Sequence, residues 1–327
     1  MNELVPAFDF QRVFIAPWAG DFQGNIWVVL MGFFAITACG LVGQYLVLRR
    51  MALVGDAISH SVLPGIVIAF LLLKSRSSGA MFVGALFAAV LTTVLIEFIQ
   101  KKSRVKQDAA IGIVFTSLFA LGVIMVSLFT SQIDLDLDCV LHGEIVNVPL
   151  EFPFVQIAGF KLGPASVVRM AVVSVITAVL LMVFYRQLLV SSFDPGLAGS
   201  LGVNASVVHY ALMGWLSVVV VSCFDSVGAI LVVAMLILPA TTASMVTDRL
   251  PWALASVPLQ ALLSALGGFH LATWLNCAIA PAMVVASCGL FALAWIFGPV
   301  DGQLAKRRRR RANSLPETVL DPVSGKT

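Results

Sequence analysis

Asp56 and His60 stand four residues apart in RRMALVGDAISHSVLPG, residues 49–65, where they open an apolar stretch of spanning length. On a helix, residues i and i+4 share one face with Cβ atoms about 5–6 Å apart, so both side chains reach a common point. A carboxylate and an imidazole converging on one point suit a transition-metal ion. The pair also has a structural account, in which Gly55-Asp56 caps a helix and His60 is a satisfied histidine within a bundle. Depth favours the metal: residues 53–73 read as a membrane span, where an uncompensated carboxylate is costly and usually functional. One chain offers two such donors, whereas a tetrahedral ion takes four. Two copies meeting about a two-fold axis would supply two Asp and two His, which predicts a dimer with the ion on its axis.

The elements that must hold this pair are helices in lipid. Hydrophobic residues make up 60% of the 327, charged residues only 11%, and the mean hydropathy is +1.00. A soluble domain carries roughly 25% charged residues. The expected fold is therefore an all-α polytopic integral membrane protein. The formal charge of +3 says little, because Arg307–Arg311 alone contributes five cations. The cysteines at 39, 139, 223, 277 and 288 form no CxxC pair, so neither a disulfide framework nor a thiolate metal site is read. The N-terminus lacks the basic region and cleavage site of a secretory signal, and the first apolar helix is expected to serve for insertion.

A spanning helix needs about 20 apolar residues. Nine stretches approach this: 26–48, 53–73, 79–99, 109–130, 165–185, 204–222, 227–246, 252–271 and 278–297. Pro64 and Pro239 are expected to kink or break two of them. With the C-terminus in the cytoplasm and the N-terminus outside, the inner segments hold 14 of the 20 cationic residues, as the positive-inside rule requires. Residues 1–24 read as an interfacial lead-in, 25–300 as the transmembrane domain, and 301–327 as a basic, then disordered, cytoplasmic tail. The outer loop 131–164 is acidic, and its IDLDLDCVL run has the alternation of a short β-ribbon. The inner segment 186–203 reads as a short helix framed by Asp194-Pro195-Gly196 and Gly202.

Four stretches, in order, carry a resemblance: ALVGDAISHSVLPG, DLDCVLHGEI, SFDPGLAGSLGV and GAILVVAMLILPATTA. Together they resemble the ABC-type zinc/manganese/iron permease family, the membrane subunits of high-affinity metal importers, over residues 26–297. The resemblance implies that Asp56 and His60 are the pathway metal ligands. It implies that 192–203, with Phe193, Asp194, Pro195, Ala198 and Gly202, is the coupling helix that docks on a cytoplasmic ATP-binding subunit. It further implies an extracytoplasmic metal-binding protein as donor and a second permease, identical or homologous. The cargo that the resemblance implies is a divalent zinc, manganese or ferrous ion, with no permanently bound cofactor expected. His142 stands where an aromatic residue is expected. Asp134, Asp136, Asp138, His142 and Glu144 are either a solvated acidic face or a surface that attracts cations and meets the binding protein.

The remaining polar residues have plainer readings. His209 and His270 lie near helix ends and read as interfacial. Asp225 reads as a turn residue. Gln44 and Glu97 are expected to snorkel to the cytoplasmic interface. The terminal SGKT lacks the first glycine of a phosphate loop and any following helix, so ATP hydrolysis belongs to a partner and the subunit is not itself an enzyme. The arginine run beside the last span reads as a topology anchor on anionic lipid rather than a nucleic-acid site. An importer of an iron chelate or corrinoid, and a self-sufficient proton-coupled carrier or intramembrane metalloenzyme, are the competing classes. The second wants ionisable groups clustered deep in several helices, and few are present.

Overall fold

The computed structural model describes residues 8–73, 78–129, 145–150, 155–157, 160–300 and 302–307, and helices dominate it. A π-helical turn, Gln11–Ile15, leads into the short α1 (Ala16–Gly20). Asp21 then caps α2 (Phe22–Leu48), its carboxylate accepting from the Gly24 N–H at 2.9 Å. Next come α3 (Leu53–Ser61), α4 (Leu63–Leu73), α5 (Ser78–Lys102) and α6 (Gln107–Phe129). A 3₁₀ turn at Ile145–Leu150 and an antiparallel hairpin of β1 (Val155–Ile157) and β2 (Phe160–Gly163) precede the second half. That half comprises α7 (Ala165–Val183), α8 (Tyr185–Phe193), α9 (Pro195–Ser200), α10 (Ala205–Val227), α11 (Ala229–Val246), α12 (Leu250–Leu275) and α13 (Ile279–Phe297).

Among the described residues, eight helical paths are long and apolar enough to span a bilayer, with α3 and α4 forming one of them, Leu53–Leu73. The ninth expected span is α11, apolar but shorter over Leu231–Val246. Outward residues such as Phe87, Leu128, Met182 and Phe297 are exposed and apolar, as a lipid-facing surface requires. The IDLDLDCVL run lies outside the described residues. The hairpin falls later, pairing Ile157 with Phe160.

The centre of the bundle is α2, which packs against α7, α10, α11 and α12. Met31, Ile36, Cys39, Val42, Tyr45 and Leu46 are wholly buried along it. Lipid is as apolar as leucine, so helices associate here through close packing of small residues. A Cβ on Gly43 would strike the Leu236 carbonyl, and one on Gly40 would press on Pro239. The α4–α5 contact is reciprocal: Gly65 lies against the Gly84 carbonyl and Ala88, and Gly84 against the Gly65 carbonyl and Ala69.

The two prolines behave differently. Helix α3 stops at Ser61, Val62 is a turn, and α4 starts at Leu63. Pro64 has no N–H for the His60 carbonyl, and its ring would crowd that oxygen in a continuous helix. Pro239, by contrast, lies inside an α11 that continues through it. Gln44 does not snorkel. It is 3% exposed and donates from Nε2 to the Ala240 carbonyl at 3.1 Å, because α2 runs too close to α11 to leave it a path outward.

Candidate metal site and coupling segment

Helix α3 packs against α5, α6, α10 and α11, and Gly55 lets it lie on Leu236 of α11. Asp56 and His60 share its remaining face. Asp56 Oδ1 and His60 Nε2 are 3.5 Å apart, with side chains 40% and 22% exposed respectively. Two donors each about 2.1 Å from a tetrahedral ion lie about 3.4 Å apart, so this separation fits a shared ion without rearrangement. The rings of Phe115 and Phe119 flank the imidazole at centroid distances of 5.3 and 5.9 Å, one tilted and one edge-on, and hold its plane. Directly behind it, Ser61 Oγ meets Thr92 Oγ1 of α5 at 2.6 Å. Among the described residues no third His, Cys, Asp or Glu completes a metal-binding group. One chain thus presents two neighbouring donors on a surface its own helices leave partly open.

The segment 186–203 is two helices rather than one. Phe193 ends α8, and Asp194 leaves helical geometry to cap α9, accepting from the N–H groups of Gly196 and Leu197 at 2.9 and 3.0 Å. Pro195 takes the first turn of α9, where its missing N–H has no cost. The exit is a Schellman turn: the Val203 N–H reaches the Ala198 carbonyl at 2.9 Å, with Gly202 at φ +77°. Ala198 is buried, whereas Phe193, Leu197 and Leu201 are 67%, 50% and 62% exposed. Three large apolar side chains thus stand exposed on and beside a doubly capped turn. Asp134, Asp136, Asp138, His142 and Glu144 lie outside the described residues.

Sequence reasoning missed the group that joins these two features. Arg49, first residue past α2, donates from Nη2 to Ser191 Oγ at 2.9 Å, from Nε to Ser192 Oγ at 3.0 Å and from Nη1 to His209 Nδ1 at 3.2 Å. Burial lowers the guanidinium pKa and Tyr45 raises it again; the group stays charged at neutral pH. His209 is thereby tied to the α2–α8 junction rather than left at an interface. Glu97 likewise does not snorkel; it pairs with Lys101 at 2.6 Å, its own side chain 12% exposed. The only signal in sequence was an arginine pair ahead of GDAISH, and topology alone already explained it. His270 anchors the entry turn, its Nδ1 3.0 Å from the Val13 carbonyl.

Comparison with known proteins agrees over the same region. The model of the ABC 3 transport family matches residues 22–298. The chain is 44% identical over 283 residues to the manganese transport system membrane protein MntD of Bacillus subtilis, covering 86% of this chain and 95% of that protein. It is 42% identical to the zinc transport system membrane protein TroD of Treponema pallidum, covering 90% of this chain and 79% of the relative. Among solved structures, PsaBC from Streptococcus pneumoniae in complex with Fab superposes with a TM-score of 0.74 at 30% identity. That match covers 90% of this chain and all of the other.

Proposed function

The chain belongs to the ABC 3 transport family, and from that premise we propose that it is the membrane-spanning permease of a bacterial ATP-driven importer of manganese or zinc. The observation that carries this is the family match across every span, joined to 44% identity with a manganese transport subunit. The subunit is multi-pass and non-catalytic, and its ATPase is a separate partner.

Cargo passes through the Asp56/His60 pair, with a second permease supplying the other half of the set. The half-open face and the 3.5 Å donor separation support this. A mixed carboxylate–imidazole set binds a divalent ion firmly enough to strip its water yet contains no thiolate to trap it. Affinity in such a set rises from manganese through iron before falling back at zinc, so the choice of metal rests with the extracytoplasmic binding protein that delivers it. The ATPase docks on Phe193, Asp194, Pro195, Ala198 and Gly202 and the exposed leucines beside them. The N-terminus faces outward and the C-terminus the cytoplasm, as the cation distribution favours.

The test is ATP-dependent uptake of manganese, zinc and ferrous iron into vesicles holding the reconstituted complex, with Asp56→Ala and His60→Ala beside the wild type. Uptake of one or two metals, abolished by both substitutions in an assembled complex, is the expected result. Uptake that survives both substitutions makes the pair structural. Preferential uptake of an iron chelate instead returns the larger-cargo reading.

A further inference from the structure

Arg49 sits where three elements meet. Its backbone closes α2 in a Schellman turn: the Arg50 N–H reaches the Val47 carbonyl at 3.0 Å, and the Met51 N–H the Leu46 carbonyl at 2.8 Å. Arg50 occupies the left-handed position at φ +58°, normally a glycine's. The Val54 N–H then bonds the Met51 carbonyl at 3.1 Å, so α3 starts with no slack after α2. Displacement of Arg49 therefore passes directly into the helix bearing Asp56, seven residues on.

The guanidinium's other end grips α8. Ser191 and Ser192 form its last turn, immediately before the Asp194 cap that starts α9. His209 adds α10 to the same node. Each of the three guanidinium nitrogens is used once, and the planar fork sets their directions. A cavity of about 400 Å³ lined by Arg49, Glu97, Lys101, Ser192 and His209 adjoins the node and gives it room to repack.

We propose that Arg49 is the positioning residue that transmits movement of the ATPase-docking segment to the Asp56/His60 helix. The inference rests on the coupling and metal readings above. In the ATP-driven step, α9 is displaced by the ATPase, the serines carry Arg49 with them, and the slack-free turn tilts α3 and re-aims its pair. Arg49 touches no cargo and no nucleotide. Its loss therefore disconnects two working ends without removing either.

The test uses the complete complex of permease, ATPase and binding protein in proteoliposomes, reading ATP turnover and manganese uptake together. Arg49→Ala is expected to keep ATP turnover within about twofold while uptake falls about tenfold, so that metal moved per ATP collapses by the factor typical of a lost site-to-site coupling. Arg49→Lys, with one charged point instead of a fork, recovers part of the ratio. The Ser191→Ala/Ser192→Ala double variant, which leaves the arginine in place, lowers the ratio on its own and adds little to Arg49→Ala. It also decides the matter if Arg49→Ala fails to assemble. An unchanged ratio in the serine variant, or turnover and uptake falling in parallel, overturns the proposal. Two controls separate this failure from that of the underlying readings. Asp56→Ala must abolish uptake, and Leu197→Glu must loosen the ATPase; if either control behaves as wild type, the reading beneath has failed and the proposal falls with it.

Discussion

Ser61 Oγ and Thr92 Oγ1 lie 2.6 Å apart in the buried seam between α3 and α5, one residue beyond His60. Each hydroxyl also lies within reach of a carbonyl of its own helix, Ala57 for Ser61 and Ala88 for Thr92; with one proton apiece, one hydroxyl donates across the seam while the other donates to its own carbonyl. The pair fixes the end of α3 just where Pro64 has broken the helix. Thr92→Val keeps the shape and removes the link, and Ser61 retains Ala57. The expected loss is about 1 kcal/mol in the purified permease, at the scale of interhelical hydrogen bonds in membranes. Thermal unfolding in detergent measures it, and an unchanged midpoint would show that the link bears no load.

Packing of α4 on α5 tolerates no added atom. Gly84→Ala places a methyl against the Gly65 carbonyl and Ala69, both of which are fixed. A cost of about 1–3 kcal/mol is expected from overpacking. Gly112→Ala, in open space on α6, serves as the comparison and should cost almost nothing. Equal melting of the two variants would refute the contact.

Opposite signs are expected at two left-handed positions. Arg50 holds φ +58°, which costs a non-glycine residue about 1 kcal/mol, so Arg50→Gly should be neutral to stabilising. Gly202 holds φ +77°, so Gly202→Ala should destabilise its turn by a similar amount. Limited proteolysis at 186–203, with unfolding midpoints, reads both.

Cys39 and Cys223 place their sulfurs 3.5 Å apart, with Met170 Sδ 3.7 Å from Cys223, in a fully buried contact of α2, α7 and α10. A membrane-permeant dithiol oxidant should join the two cysteines with little backbone movement. Peptide mass spectrometry should recover a Cys39–Cys223 crosslink from wild type and none from Cys39→Ser. Failure to crosslink would mean that α2 and α10 do not pack in this register.

Much was determined by sequence alone, because the bilayer leaves so few choices. Apolar stretches of spanning length had to become helices, since unpaired backbone groups are too costly in lipid. The i, i+4 spacing of Asp56 and His60 placed both on one face of whatever helix formed, and Pro64 marked its break by local sterics. The Asp194-Pro195-Gly196 and Gly202 punctuation likewise marked the ends of α9, because caps and left-handed turns are properties of a few adjacent residues.

What only the tertiary structure decided is long-range. Gln44 reads as a polar residue at a helix end until α11, about 200 residues later, is seen to lie against it. Arg49 reads as an inside charge until Ser191, Ser192 and His209 converge on its three nitrogens. Cys39 and Cys223 look scattered because chain distance says nothing about which helices become neighbours. Helical periodicity states which face a residue occupies. In a membrane, where most spanning helices are apolar on nearly every face, that face does not reveal its partner, and the close fit of glycines and small side chains makes the choice.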